Sequence, residues 1–496
     1  MVRRILRGRL SVQYLAIRAA IHVASVFSIY MSFAMLIPAA VDLYAGNPDW
    51  QVFAMSAFFT GGLALAVALA TRGRAPVLSA RFGFLMINML WLSTCAVGAV
   101  PLLASSLGIG VADAFFEAVS GLTATGGTVL VGLDGMPPGI LMWRALLNWM
   151  GGVGVIAFGI FVLPVLNIGG VSYFNIESSS TDDRPFERFS TFAYALLGVY
   201  AFGTLVCMVL YAAAGMDGFD AVTHAMSTMA TGGFANYDTS FARYADNPAI
   251  LWIATVFMVI GALPFTILIL FAVRGRLDAL ADPQIKVFIG YVLALVFGVA
   301  IYLRLSQGVP FFDALTASAF NFTSIITTTG FASEDYSLWG PFAVACAFIA
   351  TFLGGCSGST TGGIKAYRFL ILFELIHNGL RRLVYPHTVQ SVRYGDRTVD
   401  DDTQRAVVLF ICALFMIWLV LCLAVAATGV DLVTAITGSI TCLTNVGPGL
   451  GPVIGPAGNF APLPDGAKWI LSLAMLMGRL ELLAVLVIFT PTFWRR

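Results

Sequence analysis

Four short polar segments of this chain end in glycine, and each of them lies between two long apolar runs. In every segment a hydroxyl residue stands six positions before the last glycine, and the last glycines recur roughly every 100–120 residues. Four such segments around one axis would form a ring of backbone carbonyls, which is how an ion filter is built. The segments read Ser120-Gly-Leu-Thr-Ala-Thr-Gly126, Ser227-Thr-Met-Ala-Thr-Gly-Gly233, Ser324-Ile-Ile-Thr-Thr-Thr-Gly330 and Thr441-Cys-Leu-Thr-Asn-Val-Gly447.

The last four residues of each segment, called strips 1 to 4 below, are all uncharged. A divalent-cation filter favours a carboxylate ring and an anion pore favours Lys or Arg, so a neutral ring suits a monovalent cation. Glycine readily adopts the unusual backbone angles that a row of inward carbonyls requires. The alternative is that these glycines only permit close helix packing. The strips are Thr123, Ala124, Thr125 and Gly126; Ala230, Thr231, Gly232 and Gly233; Thr327, Thr328, Thr329 and Gly330; and Thr444, Asn445, Val446 and Gly447.

The composition is that of a polytopic membrane protein in contact with lipid. Hydrophobic residues make up 59% of the chain and charged residues only 11%, with a mean hydropathy of +0.89. A soluble domain has about 25% charged residues. The net charge is +1 and no dense block of Lys and Arg indicates a nucleic-acid partner. The seven cysteines include no C-x-x-C pair, which argues against a disulfide framework or a zinc site.

Ten apolar runs are long enough to span a bilayer. The first two enclose no strip, and the other eight form four pairs that each enclose an amphipathic stretch and one strip. The predicted fold is therefore all-α, with four pseudo-symmetric helix–pore helix–filter–helix repeats around one pore and two extra N-terminal transmembrane helices. The runs lie at about 19–44, 50–71, 82–105, 140–166, 190–214, 249–273, 285–305, 341–377, 403–428 and 466–491. The predicted divisions are 1–75 for the N-terminal pair, then 76–180, 181–280, 281–395 and 396–496 for pore repeats 1 to 4.

The basic residues fall in alternate connections between these runs, which by the positive-inside rule assigns that side to the cytoplasm. Both termini are then cytoplasmic, and the four strips face outward. The residues that carry this orientation are Arg3, Arg4, Arg7, Arg9, Arg18, Arg72, Arg74, Arg81, Arg184, Arg188, Arg274, Arg276, Lys286, Arg381, Arg382, Arg393, Arg397, Arg495 and Arg496.

The stretch before each strip begins with an aspartate: Asp113, Asp220, Asp313 and Asp431. Asp is a good N-cap and complements the positive end of a helix. Each short helix would then direct its partly negative C-terminus toward the strip, which favours a cation there.

These motifs resemble the membrane subunit of the Trk potassium-uptake system, within the Trk/Ktr/HKT superfamily. The resemblance covers nearly the whole chain and includes two extra N-terminal helices typical of the Trk branch. In this family a glycine in each filter goes with K⁺ selectivity, whereas a serine in the first filter goes with Na⁺ transport in some plant relatives. The motifs are the four strips, Trp143-Arg-Ala-Leu-Leu-Asn-Trp149, Gly354-Gly-Cys-Ser-Gly-Ser-Thr-Thr-Gly-Gly-Ile-Lys365 and Gly478-Arg479.

Because Gly126 occupies the first filter, the resemblance implies that K⁺ is transported and bound there, with no organic cofactor in this chain. It also implies a location in the bacterial inner membrane. The implied partners are a second copy in a homodimer and a cytosolic nucleotide-binding regulatory ring.

The run at 341–377 is too long for a plain crossing and is interrupted by a segment rich in glycine and serine, which disfavours a continuous helix. The family has a mobile loop at this position that obstructs the pore, and the resemblance implies the same gate here. A phosphate-binding loop is a poor alternative, because G-x-x-x-x-G-K-[ST] is absent. A simple helix break without gating remains open. The gate residues are Gly354, Gly355, Ser357, Gly358, Ser359, Thr360, Thr361, Gly362 and Gly363.

Arg479 lies near the middle of the last apolar run, where a buried arginine is unfavourable unless it faces water or a partner. We interpret it as a pore-facing barrier that works with the loop; the alternative is a structural arginine bonded to backbone carbonyls. Glu481 lies on another helix face and is not an obvious partner. For Arg144, near the outer end of its helix, an interfacial or structural role is expected.

Three classes of function compete. A K⁺ conduit built from four repeats of one orientation is favoured. A secondary transporter usually shows two related halves. A membrane enzyme needs paired carboxylates, a histidine cluster or a nucleophile–base set at depth, and the sequence suggests none. Whether flux is channel-like or coupled to protons is left open.

Overall fold

A computed structural model describes residues 2–73, 80–161, 189–275, 281–388 and 390–495. This part of the chain is almost entirely helical, as predicted, and its one sheet is a two-stranded antiparallel hairpin. Among the residues used to orient the chain, Arg74, Arg184, Arg188, Arg276 and Arg496 lie outside the described residues. The first three predicted repeat boundaries fall at or beside residues that are not described, so the division into repeats stays a prediction.

The N-terminal pair consists of α1 (Val2–Ala34), α2 (Leu36–Ala45) and α3 (Trp50–Thr71), of which α1 and α2 form a single span. Asp42 of α2 is fully buried and accepts a hydrogen bond of 2.7 Å from the backbone N–H of Gly139. A side-chain carbon at position 139 would collide with that carboxylate. The pair is therefore held against the first repeat by a carboxylate at a helix N-terminus, a favourable place for negative charge.

The remaining helices are grouped here by the predicted repeats, and in each group one helix ends at or just before a strip. Repeat 1 contains α4 (Ala80–Ala104), α5 (Val111–Leu122) and α6 (Pro138–Phe161). Repeat 2 contains α7 (Phe189–Ala213), α8 (Gly218–Met229), α9 (Pro248–Ala262) and α10 (Phe265–Arg274). Repeat 3 contains α11 (Pro283–Gln307), α12 (Phe311–Ile326), α13 (Pro341–Ala350) and α14 (Ala366–Val384), followed by β1 (Arg393–Tyr394) and β2 (Arg397–Thr398). Repeat 4 contains α15 (Asp401–Ala426), α16 (Leu432–Thr444), α17 (Asp465–Arg479), α18 (Leu482–Leu486) and the short α19 (Pro491–Arg495).

Seven spans within the described residues are long and apolar enough to cross a membrane without a sharp bend. The run at 341–377 is broken between α13 and α14, as predicted. The runs at 249–273 and 466–491 are not straight helices, because they bend by 100° and 115°. That each of them crosses the membrane once stays a prediction. Pro264 causes the first bend, since it lacks an N–H and disfavours helix at the residue before it. The second coincides with Glu481, whose φ is +60°.

The aspartates before the strips do not all cap their helices. Asp431 is the N-cap of α16 and accepts the backbone N–H three residues later at 3.0 Å, as expected. Asp217, rather than Asp220, caps α8. Asp113, Asp220 and Asp313 lie inside the first turn, where a negative charge still complements the helix dipole.

The last repeat packs back against the first. Lys468 of α17 places its ammonium nitrogen 2.5 Å from a carboxylate oxygen of Asp113 on α5. The rings of Phe115 and Trp469 lie 4.9 Å apart beside this pair. The four pore helices are thus arranged so that repeat 4 is a neighbour of repeat 1.

Candidate functional site: a ring of four strips

All four pore helices end in the same hydrogen-bonded turn. In each helix the backbone N–H that precedes the last glycine donates to the carbonyl of the hydroxyl residue identified in the sequence, a bond typical of a Schellman helix end. The repeated hydroxyl residue therefore marks the last turn of each helix. The four bonds join Thr125 to Ser120 (2.9 Å), Gly232 to Ser227 (2.9 Å), Thr329 to Ser324 (2.8 Å) and Val446 to Thr441 (2.9 Å).

Two positions in every strip adopt the left-handed backbone conformation. One is the last glycine, and the other is the residue two positions before it, which is never a glycine. A non-glycine residue in this region is uncommon and costs roughly 1–2 kcal/mol. Such strain persists only where the surrounding structure imposes it, and it concentrates at functional sites. The φ values are +50°, +48°, +54° and +58° for Ala124, Thr231, Thr328 and Asn445, and +85°, +80°, +86° and +103° for Gly126, Gly233, Gly330 and Gly447.

The last glycines bring the strips into contact in cyclic order. A side-chain carbon on Gly126 would lie 2.9 Å from the carbonyl oxygen of Gly232, and one on Gly447 would lie 2.5 Å from that of Thr125. A side-chain carbon on Gly233 would lie even closer to the carbonyl oxygen of Thr329, and one on Gly330 would lie even closer to that of Val446. Strip 1 thus touches strip 2, strip 2 touches strip 3, strip 3 touches strip 4, and strip 4 touches strip 1.

Uncharged polar side chains line and connect this ring. The hydroxyls of Thr123 and Thr125 lie 2.7 Å apart, and those of Thr327 and Thr329 lie 2.8 Å apart. The amide of Asn445 donates to the Thr125 hydroxyl at 2.9 Å and so joins strip 4 to strip 1. The structure therefore brings together all the strip residues that the sequence singled out.

A buried ion pair supports the segments that follow strips 1 and 2. Arg144 is 1% exposed, and its Nε lies 2.8 Å from a carboxylate oxygen of Glu117. Glu117 also accepts the backbone N–H of Val129 at 2.9 Å, and Arg144 donates to the carbonyl of Ala235 at 2.7 Å. Arg144 is therefore structural rather than interfacial. Sequence reasoning missed Glu117, although an acidic residue within a short apolar helix was a usable signal.

The segment between α13 and α14 packs directly against the ring. Its residues are mostly buried, and it includes the gate residues proposed from the sequence. Three of its hydrogen bonds join it to strips 2, 3 and 4, so that only strip 1 lacks such a bond within the described residues. The Thr231 hydroxyl donates to the Thr360 hydroxyl (2.9 Å), the Gly362 N–H to the Thr328 hydroxyl (2.7 Å) and the Gly363 N–H to the Thr444 carbonyl (2.9 Å).

The same loop fits into the bend between α9 and α10. The bend leaves backbone groups without partners inside the helix, as helix ends do. The N–H of Cys356 donates to the Ala262 carbonyl at 2.9 Å, and the N–H of Phe265 donates to the Gly358 carbonyl at 2.9 Å. The loop and the bend therefore satisfy each other's buried backbone groups, which explains why both occur at this depth.

Arg479 ends α17 beside the ring and the loop. It is 4% exposed, and no nitrogen of its guanidinium makes a hydrogen bond with the described residues. A side-chain carbon on the preceding Gly478 would lie 2.8 Å from the side-chain oxygen of Asn445 in strip 4. Glu481 pairs with Arg368 at 2.6 Å and not with Arg479, in line with the sequence analysis. No backbone carbonyl of the described residues accepts a hydrogen bond from Arg479, which disfavours the structural alternative.

A small cavity of about 50 Å³ lies between the loop and these charged residues. Arg479, Lys365, Arg368 and Glu481 contribute to its wall, together with loop residues such as Ser359. The charged side chains of the wall thus comprise three cations and one carboxylate. The formal charge of these wall side chains is therefore net positive, which disfavours a cation in the cavity.

Irregular backbone at membrane depth is tolerated only where it is buried in protein or lines a water-filled cavity. A buried ring of polar backbone surrounded by long apolar helices is therefore typical of a polytopic membrane transport protein. The chain belongs to the TrkH family: the family model described as "Cation transport protein" matches residues 51–496. The resemblance drawn from the motifs is therefore confirmed. The expectation of a transport protein rather than an enzyme is confirmed by the same finding.

Individual relatives match this chain over nearly their full lengths. The chain is 41% identical to the Trk system potassium uptake protein TrkI of Halomonas elongata, covering 96% of each chain. It is 36% identical to the Trk system potassium uptake protein TrkH of Escherichia coli, covering 96% of this chain and 99% of that one. The crystal structure of the potassium transporter TrkH from Vibrio parahaemolyticus superimposes with a TM-score of 0.88 at 34% identity, covering 96% of this chain and 99% of that chain.

Proposed function

We propose that this protein takes up K⁺ across the bacterial inner membrane and that strips 1 to 4 form its selectivity filter. The observation that carries the proposal is the cyclic order of contacts, in which each last glycine lies against a carbonyl of the next strip. The names of the relatives, which are potassium uptake proteins, support K⁺ as the transported ion.

In this mechanism the backbone carbonyls of the four strips replace the hydration shell of K⁺. The strips carry no charged side chain, so binding is weak enough for the ion to leave again. Each pore helix ends at its strip, and the partly negative C-terminus adds a favourable potential for a cation. The left-handed positions orient consecutive carbonyls, and glycine at the closest approach lets neighbouring strips meet.

The loop at 354–363 and Arg479 would form the gate. The loop is bonded to three strips and so occupies space directly beside the filter. Arg479 carries a charge that is not compensated by hydrogen bonds from the described residues. K⁺ would pass when the loop leaves this position and the cavity beside Arg479 widens.

The protein would lie in the membrane with both termini in the cytoplasm and would work with partner subunits. The distribution of arginine and lysine supports cytoplasmic termini and outward-facing strips. The relatives are named as parts of a Trk system, which supports a separate regulatory component. Following the family resemblance, we propose a cytosolic nucleotide-binding ring as that component and a homodimer of this chain as the membrane unit.

The test is ⁸⁶Rb⁺ uptake into proteoliposomes that contain the full-length protein, with K⁺ or Na⁺ as competitor. We expect K⁺ to compete and Na⁺ to compete weakly, and deletion of residues 356–361 from the loop to raise the basal flux. Equal competition by both ions would contradict the filter, and an unchanged flux in a folded deletion variant would contradict the gate. Repeating uptake with an imposed proton gradient distinguishes channel-like from proton-coupled transport.

A further inference from the structure

A short hairpin connects α14 to α15 on the side that the basic residues assign to the cytoplasm. Its two ends are joined by a hydrogen bond of 2.9 Å from the N–H of Val399 to the carbonyl of Val392, and both side chains are buried. The turn at Gly395 and Asp396 is exposed. The hairpin therefore has an anchored base and a tip that is open to contact from solution.

A side chain of the hairpin contacts the start of α11. The hydroxyl of Tyr394 in β1 donates to the carboxylate of Asp282. Asp282 is the N-cap of α11 and also accepts the backbone N–H of Gln284 at 2.9 Å. Burial and the neighbouring carboxylate raise the pKa of Tyr394, so its hydroxyl stays protonated and continues to donate at physiological pH.

The start of α11 is in turn joined to the intramembrane loop. The side-chain oxygen of Gln284 accepts the backbone N–H of Ser357 at 2.9 Å, and Gln284 is only 4% exposed. Seven residues further along the same face of the helix, the hydroxyl of Tyr291 donates to the carbonyl of Gly354. Two side chains of α11 thus hold the start of the loop: Tyr291 binds Gly354 and Gln284 binds Ser357. Gln284 lies two residues after Asp282, which contacts the hairpin.

We propose that Gln284 is a positioning residue that holds the intramembrane loop in its obstructing position, and that the Tyr394–Asp282 contact couples this residue to the cytoplasmic hairpin. The inference rests on the proposed gating role of the loop. A displacement of the hairpin moves Asp282, which lies two residues before Gln284, and so weakens the bond to Ser357. A regulator bound to the exposed tip would need no contact with the pore to change the population of the open state.

Two variants test the chain of contacts, each with a matched control. Gln284→Met keeps the length of the side chain and removes the acceptor; Gln307→Met makes the same change at the other end of α11, where Gln307 donates to Trp339. Tyr394→Phe removes only the hydroxyl, and Tyr385→Phe makes the same change at an exposed position. The assays are ⁸⁶Rb⁺ flux and single-channel recording on the full-length protein in lipid, with the loop deletion measured in parallel.

We expect Gln284→Met to raise the basal flux by roughly three- to tenfold, the range for one lost hydrogen bond. Tyr394→Phe should raise it by a smaller factor, because the Gln284–Ser357 bond remains. Open probability should increase at unchanged single-channel conductance and K⁺/Na⁺ ratio, which a merely structural role would not produce. Both control variants should behave as wild type.

Unchanged or lower flux in a folded Gln284→Met variant, with raised flux in the loop deletion, would overturn the coupling and leave the gate intact. Unchanged flux in the loop deletion as well would overturn the gate itself. If Gln284→Met does not fold, Tyr394→Phe decides: raised open probability supports the coupling, and wild-type behaviour overturns it. Raised flux in Gln307→Met or Tyr385→Phe would also overturn it.

Discussion

The α-carbon of Gly447 lies against the carbonyl oxygen of Thr125, so that a side-chain carbon at position 447 would come within 2.5 Å of that oxygen. These residues are more than three hundred positions apart, yet their contact closes the ring between the last strip and the first. The corresponding glycines at 126, 233 and 330 make the other three contacts.

Substitution of Gly126 or Gly330 by serine should weaken the preference for K⁺ over Na⁺ while the protein still inserts. The new side chain would meet Gly232 at position 126 and Val446 at position 330, so the ring must widen. A tenfold fall in the K⁺/Na⁺ ratio corresponds to about 1.4 kcal/mol of lost discrimination, a modest change for such a clash. Position 330 should be the more sensitive, because its approach is closer. Competitive ⁸⁶Rb⁺ uptake measures the ratio.

Gly132 provides the control for backbone strain. Its φ of +80° is close to that of the last glycines of the strips, but no atom lies within 4 Å of the position that a side chain would take. Gly132→Ser should therefore lose some stability and keep the wild-type ion preference. A similar loss of selectivity in Gly132→Ser would show that strain, rather than contact between strips, explains the effect.

A methyl group at Gly362 should open the gate. It would collide with the carbonyl oxygen of Thr444, which the neighbouring Gly363 holds by its N–H. The loop must move away from strip 4, and we expect the basal ⁸⁶Rb⁺ flux to rise several-fold. Gly358→Ala is the control, because that position has a φ of +74° and no neighbour within 4 Å. Wild-type flux in Gly362→Ala would mean that the loop does not limit conduction.

The buried pair of Glu117 and Arg144 should contribute strongly to stability. Removal of one partner leaves an unpaired buried charge, which typically costs about 3–5 kcal/mol. Glu117→Gln and Arg144→Met should each lower the thermal unfolding temperature markedly in detergent. The double variant, which buries no charge, should be more stable than Arg144→Met alone. If the effects of the two single changes simply add, the pair does not interact as the geometry indicates.

The strips were predictable from sequence because their determinants are local. The Schellman turn joins residues only five positions apart, and the left-handed glycine follows at once, so each strip carries its own signature. Four copies of one local pattern then indicated the ring. The break at 354–363 was predictable for the same reason, since its glycines and serines disfavour helix wherever they occur.

The bends after Ala262 and Arg479 could not be placed from hydropathy, because a bent apolar run has the same composition as a straight one. Pro264 was a local signal for the first bend. The backbone groups that this bend leaves without helical partners are bound by the loop, which is almost a hundred residues away in the sequence. The partner of Glu481 is Arg368 in the preceding repeat, and that of Arg144 is Glu117 on another helix. Such pairs depend on three-dimensional proximity, which one sequence does not give.

Removal of the charge at position 479 should increase K⁺ flux. Arg479 is buried beside the ring, its guanidinium makes no hydrogen bond to the described residues, and the adjoining cavity already contains Lys365. Each 1.4 kcal/mol taken off the barrier raises the rate about tenfold. We therefore expect Arg479→Ala to raise ⁸⁶Rb⁺ uptake by about tenfold and Arg479→Lys to stay close to wild type, because lysine is also a cationic side chain.

A structural role for Arg479 gives the opposite forecast. If the side chain mainly supported the end of α17, Arg479→Ala would lower the amount of folded protein, and the flux per inserted molecule would fall or stay constant. Arg368→Ala is the matched comparison, since that arginine pairs with Glu481 at 2.6 Å and its loss should reduce stability. Uptake of all four proteins, normalised to inserted protein and compared with their unfolding temperatures, separates an electrostatic barrier from a structural support.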